Sequence, residues 1–189
     1  TMGSGVDKRS MAISVYDVLL ESASVQEAAT FSEKCGYDVL GANRELAGAE
    51  VELVELERRD KRLKTALAAV DADYDFVLID CPPSLSMLTL NGLCAAQGVI
   101  VPMQCEYFAL EGLADLTNTI KQVHAKLNRD LRLIGLLRVM FDPRITLQQQ
   151  VSEQLKRHYG DKVFDTIIPR NVRLAEAPSY GLPGLVFDP

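Results

Sequence analysis

"FVLIDCPPSLSMLTLNG", residues 76–92, places four apolar residues ahead of an aspartate and then two prolines. A short apolar run bounded by turn residues predicts a buried strand of a parallel sheet, with Asp80 at its carboxyl end. Open parallel sheets bind ligands outside the carboxyl ends of their strands. A carboxylate in that place is a candidate Mg2+ ligand, direct or through water, beside nucleotide phosphates. Many parallel strands end in aspartate without holding a metal, so the pattern leaves both readings open. Pro82 and Pro83 fix their own φ and push Cys81 and Pro82 toward extended backbone, which carries the chain off the strand end without covering it.

Outward from this stretch, short runs rich in branched residues alternate with segments of helical period. The candidate strands are "YDVLGA" (37–42), "FVLID" (76–80), "GVIVPM" (98–103), "RLIGLLRVMF" (132–141) and "FDTIIP" (164–169). Between them, residues 58–70 are helical in composition. Leu113, Leu116, Ile120, Val123 and Leu127 repeat at helical spacing and form one apolar stripe. Leu147, Val151, Leu155 and Tyr159 recur every fourth residue, and Gly160 follows as a helix-ending residue. The expected fold is therefore α/β: three layers, with a mostly parallel sheet and helices on both faces.

The 189 residues match one domain on the usual scale of about 100 to 200 residues each, and the expectation is a single domain over 1–189. A chain of this length buries roughly 70% of its unfolded surface and needs no disulfide or metal staple. Cys35, Cys81, Cys94 and Cys105 have no paired-ligand spacing, which predicts reduced thiols in a cytoplasm and no zinc. No apolar run approaches the roughly 20 residues that span a bilayer, and no leader pattern opens the chain, so the expectation is a soluble protein with no membrane role. The net charge of -6 is uneven. Residues 120–175 hold 11 Lys+Arg against 5 Asp+Glu, or +6, and the remainder is -12. A basic segment is either a footprint for phosphate backbones or an ordinary solvated face.

Magnesium-nucleotide chemistry also calls for a phosphate cradle, G-x-x-x-x-G-K-[ST], whose N–H groups and lysine hold the β and γ phosphates. No Gly-Lys pair occurs in these residues, and "TMGSGVD" (1–7) has glycines without a lysine in register. The sequence thus presents a metal-binding strand end without the loop that brings the phosphates.

Four long segments in order, "FVLIDCPPSLSMLTLNGL", "PMQCEYFALEGLADLTNTI", "VMFDPRITLQQQV" and "VFDTIIPRNVRLAEAPSYGLP", resemble the ParA/Soj family of chromosome and plasmid partitioning ATPases. The likeness runs over essentially the whole chain, and "TMGSGVD" is similar to the family stretch after its second phosphate-side motif. The resemblance implies a P-loop NTPase-like fold of the deviant-Walker class. It also implies an ATP-dependent homodimer, DNA binding without sequence preference, and hydrolysis stimulated by a ParB-type centromere-binding protein. The family's phosphate loop lies upstream of Thr1, and its last helix after "FDP", so the expectation is a fold incomplete at both ends and a chain inactive alone. A bacterial, cytoplasmic, nucleoid-associated protein is implied.

By the same resemblance, Asp80 matches the Walker B aspartate and keeps the Mg2+ role. Pro169, Arg170 and Asn171 match the segment that lines the base and ribose of ATP; the residues alone also fit a strand-to-helix turn with Asn as a cap. Arg144 and Arg173 stand where the family places arginines on DNA phosphates, and Arg144 would precede a helix whose amino terminus also favours an anion. Lys156, Arg157 and Lys162 read as generic surface charge that could extend the patch. Tyr107 and Phe108 are given no catalytic role. A Cys81 nucleophile would need His124 or His158 as base, and Glu50, Glu52, Glu55 and Glu57 read as a solvated helix face. Two other readings stay in view: a DNA- and partner-binding module without turnover, and an ATP-dependent synthetase of the same fold.

Overall fold

Strand pairing in the computed structural model, which describes residues 1–82 and 84–188, divides into two sheets. The first is a hairpin of β1 (Ala29–Ser32) and β2 (Tyr37–Leu40), antiparallel, with Ser32 opposite Tyr37. Its turn closes on Gly36 at φ 73, a left-handed conformation that glycine adopts without a Cβ clash. The second sheet has three parallel strands in the order β3 (Gly98–Met103), β4 (Arg132–Phe141) and β5 (Val163–Pro169). The helices in chain order are α1 (Val15–Leu19), α2 (Val25–Ala28), α3 (Leu46–Glu52), α4 (Arg62–Ala68), α5 (Met87–Ala95), α6 (Ala109–Lys126), α7 (Thr146–Tyr159), α8 (Val172–Glu176) and α9 (Gly184–Phe187). The architecture is α/β with a parallel sheet flanked by helices.

Chain contacts define two compact units, Thr1–Ala95 with Val172–Pro189, and Ala96–Asn171. In the second, the expected strands 98–103 and 132–141 form over those residues, and 164–169 forms with one residue added at its start. Val101 and Met103 of β3, Leu136 and Phe141 of β4 and Val163 of β5 make one core with Leu113 of α6 and Val151 and Leu155 of α7. The predicted stripes on α6 and α7 are core-facing except at one end of each, where Leu127 and Leu147 are exposed, and each fully buried Leu or Val contributes about 1.5–3 kcal/mol. Ile100, which alternates with Val101 and Met103, and Ile134, at the register shift between β3 and β4, stay about half exposed.

Between β4 and β5 the register jumps: Leu136 is opposite Val163, but Arg138 is opposite Ile167. Two residues on β4 are matched by four on β5, which leaves carbonyls of the bulged strand without ladder donors. Arg138, 4% exposed, fills that gap. One of its terminal nitrogens donates to Phe164 O (2.8 Å) and Asp165 O (3.2 Å), and the other to Ser152 Oγ of α7 (2.9 Å), while its Nε is buried without a partner. The Phe164 ring lies 2.8 Å from where a Cβ on Gly135 would stand, so glycine is required there.

In the first unit, capping boxes start the two short helices: Ser14 with Asp17 on α1, and Ser24 with Glu27 on α2. Leu19, Ala49, Leu53 and Leu63 are buried together, with Ile79, Met87 and Leu88 packed against them. Asn91, 1% exposed, ties α5 to the start of α4: its Oδ1 accepts Leu63 N–H (3.2 Å), and its Nδ2 donates to Arg59 O (2.7 Å) and Met87 O (3.0 Å).

Two expected strands of the parallel sheet behave otherwise. Residues 37–40 pair in the hairpin, because the tight Gly36 turn brings 29–32 alongside at little loop-closure cost. Residues 76–80 have no ladder partner among the described residues and form no strand. Phe76 and Leu78 are 87% and 92% exposed, so the run expected to be buried is largely open. Pro83, the second proline of the opening stretch, lies outside the described residues, as does Pro189. Among the described residues, no helix is long and apolar enough to cross a membrane.

Candidate functional site

Asp80 follows a segment that keeps strand-like alternation without a neighbour. Ile79 and Cys81 lie against α5, where the Cys81 sulfur is 2.6 Å and an Ile79 methyl 3.4 Å from the place of a Cβ on Gly92. A side chain at Gly92 would push the segment away. Asp80, between these two anchors, is exposed. Among the described residues its carboxylate has neither an ion pair nor a hydrogen bond, and no cluster of three acidic, His or Cys side chains stands ready for a metal. One free oxygen ligand fits Mg2+, which is commonly held by one or two carboxylates plus substrate phosphates and keeps its waters.

Of the other predicted residues, Arg144, Pro169 and Arg170 come together at the carboxyl ends of β4 and β5. Phe141 is opposite Pro169, the last residue of β5, and Arg170 N–H donates to Phe141 O (3.3 Å). Asp142 follows directly. Its Oδ1 accepts from the backbone N–H of Arg144 (3.0 Å) and from Arg144 Nε (2.9 Å), and its Oδ2 accepts from an Arg144 terminal nitrogen (2.7 Å). The Arg144 hydrogen bonds hold the Asp142 carboxyl down to about 2, with the charge of Arg170 adding to the effect. Arg144 is raised in turn by Asp142. Arg170 and Arg144 thus share the neighbourhood of one carboxylate, just before α7 begins at Thr146 as expected.

Arg173 belongs to the other unit. Its guanidinium lies 4.5 Å over the Phe187 ring, itself stacked on Tyr180, with Glu176 at 3.7 Å and Asp188 at 3.8 Å. Of the remaining basic residues, Lys156 approaches Asp165 (3.9 Å) and Arg157 approaches Glu153 (3.9 Å), ordinary exposed pairs of small energetic weight. Arg138 is buried, so one of the eleven positive charges in 120–175 is no part of a surface footprint. Tyr107 and Phe108 are not packed into the core. They are exposed, meet edge to face at 5.2 Å, and Tyr107 lines an open groove of about 470 Å³ between α6 and α7. Burial raises the thiols of Cys94 and Cys105, and packing of the sulfur against α5 together with the charge of Asp80 raises that of Cys81, whose residue is otherwise exposed; all three shifts oppose thiolate chemistry.

Three residues of this region gain a role only from the structure. Asp142 is signalled by "DPR", since an aspartate before a proline commonly accepts from the N–H two residues on. Gln148, 8% exposed, accepts the Asp142 N–H at 2.7 Å, and nothing local in the sequence distinguishes it from its neighbours Gln149 and Gln150. Arg138 reads as one more surface charge until the bulge opposite it is known.

A family profile described as "AAA domain" matches residues 1–133. The sporulation initiation inhibitor protein Soj of Bacillus subtilis is 48% identical over 189 residues, covering 100% of this chain and 75% of that protein. The chromosome partitioning protein ParA of Caulobacter vibrioides is 47% identical over 188 residues, covering 98% and 70%. Among solved structures, a cobyrinic acid a,c-diamide synthase from Mycobacterium smegmatis with bound ADP and magnesium superposes with a TM-score of 0.83 at 40% identity, covering 94% of this chain and 72% of that one. The fold is P-loop NTPase-like.

Proposed function

This chain belongs to the ParA/Soj family of partitioning ATPases, and from that premise we propose that it carries the metal, nucleotide-lining and DNA-contact residues of an ATP-dependent DNA segregation protein. The two units then form parts of one ATPase domain. Asp80 would hold magnesium, directly or through water; that ion, when bound, neutralises charge on the nucleotide phosphates. Pro169, Arg170 and Asn171 line the base and ribose. Arg144 and Arg173 contact the DNA backbone, which fixes no sequence preference. Two copies associate in the ATP-bound state and grip DNA. Hydrolysis stimulated by a ParB-type protein returns them to the state that releases it. The setting is the bacterial cytoplasm, on the nucleoid.

The observation that supports this most is the fork between Asp142 and Arg144 just ahead of the α7 amino terminus, with the Arg170 backbone tied to Phe141 O at the carboxyl ends of the same parallel strands. Backbone phosphates suit such a place. Duplex binding by the purified chain should weaken with salt and fall in Arg144→Ala and Arg173→Ala. Binding that ignores salt, or survives both changes, contradicts the assignment. Because these 189 residues contain no G-x-x-x-x-G-K-[ST] loop, the chain alone has no ATPase activity: the cradle supplies most of the electrostatic stabilisation of phosphoryl transfer. Turnover that tracks the pure chain and disappears in Asp80→Ala would overturn that statement.

The solved synthase at 40% identity favours a second reading, an ATP-dependent synthetase. It predicts that duplex DNA leaves the protein unaffected, whereas partitioning predicts a salt-sensitive complex.

A further inference from the structure

We infer that Asp142 is a built-in phosphate mimic that aims the Arg144 guanidinium and, by occupying it, holds down its affinity for nucleic-acid phosphate. The inference rests on the reading of Arg144 as a DNA contact and adds a regulatory element to it.

The geometry is the fork that arginine makes with an oxyanion. Nε and one terminal nitrogen of Arg144 meet the two oxygens of Asp142 at 2.9 and 2.7 Å. Phosphate oxygens are recognised by the same two parallel bonds. A guanidinium has five N–H donors and Asp142 takes two, so the outer edge stays available while the best-matched edge is filled. The carboxylate is well placed to stay there. Asp142 is only 18% exposed against 87% for Arg144, and its Oδ1 also accepts the Arg144 backbone N–H. Gln148, itself buried, holds the Asp142 N–H, and Gln149 Nε2 donates to Pro143 O. Residues 142–144 are therefore braced from both neighbouring glutamines, and Arg144 projects from a fixed base.

Two consequences oppose each other. Bracing removes conformational freedom that a long side chain would otherwise lose on binding, which favours a contact. The carboxylate places a negative charge beside the phosphate site and offsets the charge of Arg144 there, which disfavours it. Since the backbone bond, the glutamines and α7 brace the loop whether or not Asp142 is charged, neutralisation removes mainly the second effect.

The test is Asp142→Asn, which keeps an oxygen for the Arg144 N–H and drops the charge. If that variant does not fold, Asp142→Ser provides the same acceptor in shorter form. Fluorescence anisotropy with a random-sequence duplex across a salt series is read for wild type, the Asp142 variant, Arg144→Ala and the double variant, with tripolyphosphate titrated in parallel. The expected result is about 3- to 10-fold tighter duplex binding in the Asp142 variant. Its plot of log affinity against log salt should be steeper, by part of the roughly 0.9 that one fully neutralised phosphate contributes, and the gain should vanish in the double variant. An Asp142 variant that binds no better than wild type, while Arg144→Ala weakens binding, overturns the inference and leaves the DNA contact standing. Arg144→Ala without effect removes the contact itself and the inference with it. A gain confined to tripolyphosphate assigns the site to a free phosphate compound and overturns the nucleic-acid reading.

Discussion

Two stretches of this chain share one pattern, an apolar run that ends in aspartate: "FVLID" at 76–80 and "VMFD" at 139–142. The second lies almost wholly in a parallel strand with neighbours on both sides, and its aspartate is committed to an arginine. The first has no strand neighbour among the described residues, leaves Phe76 and Leu78 open, and ends in a carboxylate that no described residue holds. Local composition is nearly the same. What separates them is pairing, which covers a strand's flanks and decides whether the residue at its end is engaged or available.

The largest effect that could break the comparison is in the core. Leu136→Ala, at a position with no exposure, should destabilise by about 2–5 kcal/mol in chemical denaturation. Leu78→Ala, at 92% exposure, should change stability by no more than about 0.5 kcal/mol. Equal effects would mean that 76–80 is packed after all. Next in size is Arg138→Met, which fills the volume but leaves bulge carbonyls of β5 without donors. A loss of about 1–3 kcal/mol is expected, and no loss would remove Arg138 as the plug of that bulge.

The smallest effect is electrostatic. The Asp142 carboxyl should titrate at about 2 by carboxyl-carbon NMR and rise toward the ordinary value of about 3.9 in Arg144→Ala. Since its folded pKa lies below the unfolded one, the pair's contribution to stability is present above about pH 4 and is lost as pH falls through about 2. An unmoved titration in Arg144→Ala would show that the fork does not persist in solution.

Much of this fold is legible in the residues. The core strands 98–103 and 132–141 are rich in branched apolar residues, and α6 and α7 carry stripes that only a helix aligns, so composition and period place them. Residues 37–40 read as a strand because β-branched and aromatic residues favour any sheet, but the pattern does not name the partner. "FVLID" reads as buried for the same reason, and the structure leaves it open: apolar character predicts that a segment seeks cover, not that these residues provide it. Arg144 and Arg170 are visible as candidates one by one. That the Arg170 backbone is tied to Phe141, next to Asp142, depends on the β4 and β5 register, and with it on a bulge plugged by a buried arginine, which no local spacing encodes.

The central claim, that Arg144 is a phosphate contact in a DNA-binding member of the ParA/Soj family, is tested most directly by salt titration of duplex binding for wild type and Arg144→Ala. If the claim holds, both proteins weaken with salt, and the variant binds more weakly with a slope shallower by a part of the roughly 0.9 that one fully neutralised phosphate contributes, Asp142 holding back the rest. Parallel lines of equal affinity would contradict it.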